Sequence, residues 1–217
     1  MTGPPKASKD PQDERRSARK RRAIIETATT VFLRNGYLGA SMDEIATLAG
    51  VSKQTVYKHF VDKERLFVEI VTGTVNEISD PVHDEVLHLQ DSGDVEADLH
   101  DLARRQLARV AQPRLLELRR LVISETNRFP ELGQVFYERG PGRTIAALAS
   151  AFERLAAHGV LRIEDPALAA VHFNWLIMSA PINDAMLLGV NAVPAPAELN
   201  RLADGGVRTF LAAYRPR

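Results

Sequence analysis

The side chains with the clearest chemistry lie between Ser41 and Lys63. Lys53, Gln54, Thr55, Tyr57, Lys58 and His59 follow Ser52 within a span of helical length, and Val56 is the one aliphatic residue among them. A glutamine amide pairs bidentately with adenine, and a lysine ammonium reaches guanine O6 or N7. Gln54, with Lys53 or Lys58, therefore carries the chemistry of base readout. Thr55, Tyr57 and Lys63 carry that of phosphate contact, which sets register without reading sequence. His59 belongs to the same polar face. The free amides at the start of a helix capped by Ser41 can also hold a phosphate.

Such side chains need elements to aim them, and the flanking residues supply the signals. Ser41-Met42-Asp43-Glu44 is a capping box with acidic residues in the first turn. It starts a short helix whose inner face is expected to be Ile45, Leu48 and Ala49, stopped by Gly50. Ser52 caps a second short helix, Lys53 to about His59, with Val51 and Val56 inward. Asp62 caps a third, carrying Leu66, Phe67, Ile70, Val71 and Val75. Two short helices about a tight turn, the second polar on its outer face, form the arrangement that lays a helix in the DNA major groove. Two solvated helices joined by a turn give the same spacing, so the weight rests on residue types at 53–59.

Upstream, residues 1–14 hold Gly3, Pro4, Pro5, Pro11 and mixed charges, and are expected to form a disordered tail. A helix is predicted from near Arg15, with Ile24, Ile25, Ala28, Val31 and Phe32 on one stripe and Asn35-Gly36 as its left-handed stop. The basic run Arg15 to Arg22 is expected to add DNA affinity without specificity. The formal net charge is zero over the chain, yet residues 1–63 hold 12 Lys and Arg against 7 Asp and Glu, and all the lysines lie there. A basic front on an acidic remainder suits one part meeting a polyanion.

The rest of the chain reads as helices. Stripes run through Leu99, Leu102, Leu107 and Val110, through Leu115, Leu118, Leu121 and Val122, and through Ile145, Leu148, Phe152 and Leu155. Asp165-Pro166 opens a very apolar helix that Pro181 is expected to kink. A last helix carries Leu199, Leu202, Val207, Phe210 and Leu211. Only Gly159 to Ile163 resembles a strand. The fold class predicted is all-α: an N-terminal three-helix helix-turn-helix DNA-binding domain over 15–63, and a larger C-terminal helical ligand-binding and dimerisation domain over 64–217.

Other chemistries find little support. There is no cysteine, which excludes disulfides and thiolate metal sites and suits the cytoplasm. The N-terminus lacks an apolar signal segment, and no run suits a membrane span. Neither Gly-x-Ser-x-Gly, nor a phosphate loop, nor His-Glu-x-x-His occurs, so no enzyme, metal or cofactor is expected. Helix bundles bind ligands between helices. Arg128, Phe136, Phe152, His172, Trp175 and Met178, with Asn127, are the candidate lining of a pocket for a largely apolar effector. The helices at roughly 166–180 and 196–213 are more apolar than one core-facing stripe needs, which points to a homodimer interface. Gly205 and Gly206 either permit close packing across a two-fold axis or mark a break.

The strings Phe32-Leu33-Arg34-Asn35-Gly36-Tyr37, Ser41 to Ala46, Gly50 to Phe60 and Asp62 to Leu66 closely resemble the TetR family of regulators. The resemblance covers roughly residues 18–68. It implies a homodimer on a near-palindromic double-stranded operator, with Tyr57 and Lys63 on phosphates and Lys53, Gln54, Thr55 and Lys58 facing bases or nearby backbone. It also implies a repressor released by a small molecule. The C-terminal part resembles the AefR-like subgroup at Arg119 to Glu125, Arg128 to Leu132, Gly140-Pro141 and Gly159 to Leu161. Two other readings stay open: a nucleoid-type DNA binder with no effector, and a helical enzyme or ligand carrier with a vestigial N-terminal domain.

Overall fold

The computed structural model describes residues 11–89 and 93–216. Among these it is built of α-helices and short 3-10 turns, with no strand. In chain order the helices are α1 (Pro11–Gly39), α2 (Met42–Leu48), α3 (Lys53–His59), α4 (Lys63–His88), α5 (Val95–Val110), α6 (Pro113–Glu125), α7 (Pro130–Arg139), α8 (Pro141–Ala157), α9 (Pro166–Leu188) and α10 (Pro196–Tyr214). The chain divides into two compact units between Ile70 and Val71, inside α4 rather than at its start. The shift has a packing cause. Leu66, Phe67 and Ile70 are buried, and the Phe67 ring lies 4.9 Å from Phe32 and 5.3 Å from Tyr37.

In the first unit, Ile24, Ala28, Val31 and Phe32 of α1 meet Ile45, Val56 and the start of α4 in one core. Of the expected tail, residues 1–10 lie outside those described, and residues 11–14 form the first turn of α1. Pro11 opens that helix and Asp13 and Glu14 sit in its first turn, where the helix dipole favours anions. Gly36 breaks the helical geometry of α1 at φ +69°, as the Asn-Gly stop requires.

In the second unit, α9 lies against α8 and α10, and α10 lies against α5. Phe152, Phe173 and Phe210 form its aromatic centre, with ring centroids 5.1 to 5.7 Å apart. Phe152 is wholly buried there. Asp94 and Asp165 cap α5 and α9 through the amides of Ala97 and Leu168. Asp204 of α10 accepts from Arg104 Nε at 2.8 Å and Nη2 at 3.0 Å, and meets His100 Nδ1 at 2.8 Å. The hydrogen bonds from Arg104 lower the pKa of the Asp204 carboxyl; burial opposes them, and His100 adds to the lowering.

Three expectations change. α9, expected over roughly 166–180, continues past Pro181 to Leu188, because Ile177, Met178, Pro181, Ile182 and Ala185 are all buried and packing outweighs one lost backbone hydrogen bond. Gly206 serves contact within the chain: a Cβ there would meet Leu176 O and Ile177 Cγ1 of α9, each at 3.0 Å. The run Gly159 to Ile163 is a turn, in which Arg162 N donates to Tyr214 O at 2.7 Å.

Candidate nucleic-acid interface and ligand cavity

Ser41 Oγ accepts from Glu44 N at 3.1 Å, so one half of the expected capping box forms. The other half is diverted: the Glu44 carboxylate accepts from Arg34 Nη2 at 2.7 Å and from Asn35 Nδ2 at 3.1 Å, tying the end of α1 to α2. The inner face of α2 is Met42, Ile45 and Ala46. Leu48, expected inside, is 57% exposed, because burial of Met42 rotates the stripe by one position. Gly50 makes the turn at φ +65°, a conformation that strains any side chain with a Cβ. Ser52 caps α3, accepting from Thr55 N at 3.2 Å.

α3 is held by a single fully buried residue, Val56. Lys53, Gln54, Tyr57 and Lys58 are exposed, and Thr55 and His59 are half-buried. The seven residues thus present a polar surface whose backbone is fixed from beneath. The side chains are not equally free. Gln54 and Lys58 make no hydrogen bond among the described residues. The Lys53 ammonium sits 2.8 Å from Asp43 Oδ1, and the hydrogen bond to that carboxylate raises its pKa. His59 is pushed down, first by partial burial and then by the charges of Arg21, Lys58 and Lys20, so near neutral pH it is an uncharged hydrogen-bonding ring.

Lys63 is placed differently from a simple phosphate contact. Its ammonium donates to Tyr37 O at 2.8 Å and Ala40 O at 2.9 Å, with Leu38 O at 3.5 Å, and lies 4.6 Å from the Tyr37 ring centroid. Three donors on three carbonyls close the end of α1 as a C-terminal cation does. The basic run is also divided in role. Arg21 pairs with Glu69 and stacks 5.3 Å from the Phe60 ring. Arg16 and Lys20 line an open groove with Thr55, Lys58 and His59 of α3.

The second unit holds a cavity of about 50 Å³ among α4, α5, α6, α7, α8 and α9. Phe136, Trp175 and Met178 line it, as expected. Phe152 does not: it belongs to the aromatic centre. His172 sits elsewhere on α9, hydrogen-bonded to the Tyr214 hydroxyl at 2.7 Å. Arg128 and Asn127 are exposed, and the Arg128 guanidinium lies 5.3 Å from the Phe129 ring. The cavity's polar groups are others, namely Ser79, Gln106, Arg119, Thr144 and Asn174. Gln106 and Arg119 stand at positions of the α5 and α6 stripes that their neighbours fill with Leu102, Ala103, Leu115 and Leu118. That interruption is visible in the sequence and was the signal for them. Among the described residues no group of three His, Asp or Glu could hold a metal ion, and no helix is long and apolar enough to cross a membrane.

Outside this cavity, Leu168, Val171, Trp175 and Leu176 recur at helical spacing along α9 with their side chains partly open to solvent. Trp175 belongs both to the cavity wall and to a shallow apolar surface shared with Thr209, Ala213 and Tyr214 of α10.

Comparison with known proteins agrees with this architecture. The model for bacterial regulatory proteins of the tetR family matches residues 24–70, and that for the C-terminal domain of AefR-like transcriptional repressors matches residues 97–216. A TetR-family transcriptional regulator from Mesorhizobium loti is 46% identical, with a TM-score of 0.85 over 93% of this chain and 99% of that one. The flavonoid-responsive regulator FrrA is 33% identical, with a TM-score of 0.73 over 92% of this chain and 99% of its own. The transcriptional activator FasR of Mycolicibacterium smegmatis is 40% identical over 68 residues, 31% of this chain. The chain spans less than a third of the length of the first curated relatives it matches, 31% of YhgD of Bacillus subtilis and 29% of FasR. Two family models and a full-length structural relative thus agree with the geometry of α2 and α3, and the chain belongs to the TetR family of DNA-binding transcriptional regulators rather than to an enzyme family.

Proposed function

We propose that the protein is a homodimeric repressor that leaves a near-palindromic operator when a small organic ligand enters the cavity of the second unit. The observation that carries the DNA side is α3. Its backbone is pinned through Val56 while Gln54, Tyr57 and Lys58 stay exposed and free of carboxylate partners. In a dimer, two such helices enter successive major grooves about 34–36 Å apart. Gln54 and Lys53 read base edges, the latter by exchanging Asp43 for a base acceptor. Ser41, Thr55, Tyr57, Lys58 and His59 hold or approach the backbone, and Arg16 and Lys20 add sequence-independent affinity.

The ligand side rests on the small cavity volume. Ligand pockets commonly need some 300–1,000 Å³, so a ligand here must part the surrounding helices. α4 supplies Leu66 and Phe67 to the core of the first unit and Val75 and Val82 to the cavity wall, and is the segment that would carry that movement. A coupling of about 1–3 kcal/mol changes operator affinity some 5–150-fold. The name of FrrA, a flavonoid-responsive regulator, supports a small organic effector.

The test is binding of the purified protein to DNA flanking its own gene, against a scrambled duplex at fixed salt. A specificity ratio of about 10³ or more is expected. Gln54→Ala should relax preference at one base pair by ~1–3 kcal/mol, while Tyr57→Ala should weaken the operator and the scrambled duplex alike. A ratio near one on both this DNA and a random-sequence pool would overturn the reading.

A further inference from the structure

Gln106 is 3% exposed and Asn174 is 3% exposed, and both line the cavity. Gln106 Nε2 donates to Asn174 Oδ1 at 3.2 Å, which leaves Gln106 Oε1 buried without a donor. An orphaned buried acceptor costs roughly 1–3 kcal/mol, and native interiors keep few of them. Arg119 lines the same cavity. Its guanidinium lies 6.0 Å from the Phe136 ring and has no carboxylate partner among the described residues. Burial weakens its hold on its proton, the mark of a cation that has lost water without gaining an anion. The rest of the lining is mostly apolar, with Phe136, Trp175 and Met178, beside the hydroxyls of Ser79 and Thr144. The cavity therefore combines a largely hydrophobic lining with one cation that lacks a carboxylate and one buried acceptor that lacks a donor.

We propose that the effector is an amphiphilic carboxylic acid bearing a hydroxyl group: the carboxylate pairs with Arg119, the hydroxyl donates to Gln106 Oε1, and the body packs on Phe136, Trp175 and Met178. This rests on the ligand-responsive reading and narrows it. A neutral apolar molecule would leave Gln106 Oε1 buried without a donor and the half-buried Arg119 without an anion, and a hydroxy acid relieves both. The guanidinium–carboxylate pair is bidentate and stronger than a neutral hydrogen bond, so charge on the ligand should matter more than the shape of its body.

Trp175 is the single tryptophan of the chain and lines the cavity, so its fluorescence reports occupancy. The probes are 4-hydroxycinnamate, 4-hydroxybenzoate and 10-hydroxydecanoate, each beside its methyl ester, titrated into the full-length protein and scored in parallel for release of the DNA it binds. Expected is at least about tenfold tighter binding of one or more acids than of the matching ester. Arg119→Gln should bring acid and ester to within about twofold, with circular dichroism confirming the fold. Gln106→Leu should cost the hydroxy acid affinity while leaving cinnamate, which lacks the hydroxyl, unchanged. Acids that bind no better than esters, or an acid preference that survives Arg119→Gln, would overturn the proposal. Esters that release DNA as well as the acids do would overturn it while leaving the ligand-responsive reading intact. Acids that bind through Arg119 without affecting DNA would uphold it and overturn that reading.

Discussion

At the scale of single residues, the structure separates polar groups that are presented from those already engaged. Gln54 and Lys63 look alike in sequence as DNA contacts, one for bases and one for phosphate. Gln54 is exposed and unbonded, whereas the Lys63 ammonium closes the carbonyls of Tyr37 and Ala40. Lys63→Ala should therefore lower the opening free energy of the α1 end by ~1–2 kcal/mol, read as faster amide exchange over residues 37–42. Unchanged exchange together with weakened DNA binding would mean that Lys63 serves phosphate alone. The ligand residues divide for a similar reason. Phe136, Trp175 and Met178 were legible as large apolar side chains near an inter-helix space. Phe152 is the same kind of residue, and only its neighbours, Phe173 and Phe210, make it core. Arg119 and Gln106 were legible as polar breaks in apolar stripes, but a polar break does not say whether the side chain meets solvent, a carboxylate or a cavity.

At the scale of elements, caps and stops were the most readable features, because each acts over a few residues. Ser41, Ser52, Asp62 and Asp165 all cap as their positions suggest, and Gly36 and Gly50 take the left-handed backbone expected of them. Helix lengths were less readable where packing competes with local preference, as at Pro181 in α9. The adjacent glycines of α10 make the contrast testable. A Cβ on Gly206 would press on the Leu176 carbonyl at 3.0 Å, a backbone atom that cannot swing aside, while on Gly205 it would meet only the far end of Arg208 at 3.8 Å. Gly206→Ala should destabilise the second unit by ~1–3 kcal/mol, and Gly205→Ala should stabilise it by ~0.5–1 kcal/mol through helix propensity. Thermal melts of the pair measure both, and equal shifts would show that α9 and α10 do not approach so closely.

At the scale of the whole molecule, the proposed dimer predicts its own interface. Leu176 is 41% exposed and Val171 37% exposed on one side of α9, an apolar surface that a monomer would leave in water. Leu176→Glu should convert the dimer to monomer in sedimentation velocity and weaken operator binding at least about tenfold, since each half-site then binds alone. A Leu176→Glu protein that stays dimeric would move the interface elsewhere. Trp175 lies in both that surface and the cavity wall, so a ligand that moves it would disturb both. The sequence by itself determined the all-α class, the placement of α2 and α3, the polar face of α3 and the family, because these depend on periodicity, caps and residue types within a few turns. The tertiary structure alone decided which polar groups are free, which aromatic rings are core, where α4 passes from one unit to the other, and that Arg119 and Gln106 face a common cavity. Those properties depend on side chains far apart in the chain, and no local pattern records which of them meet.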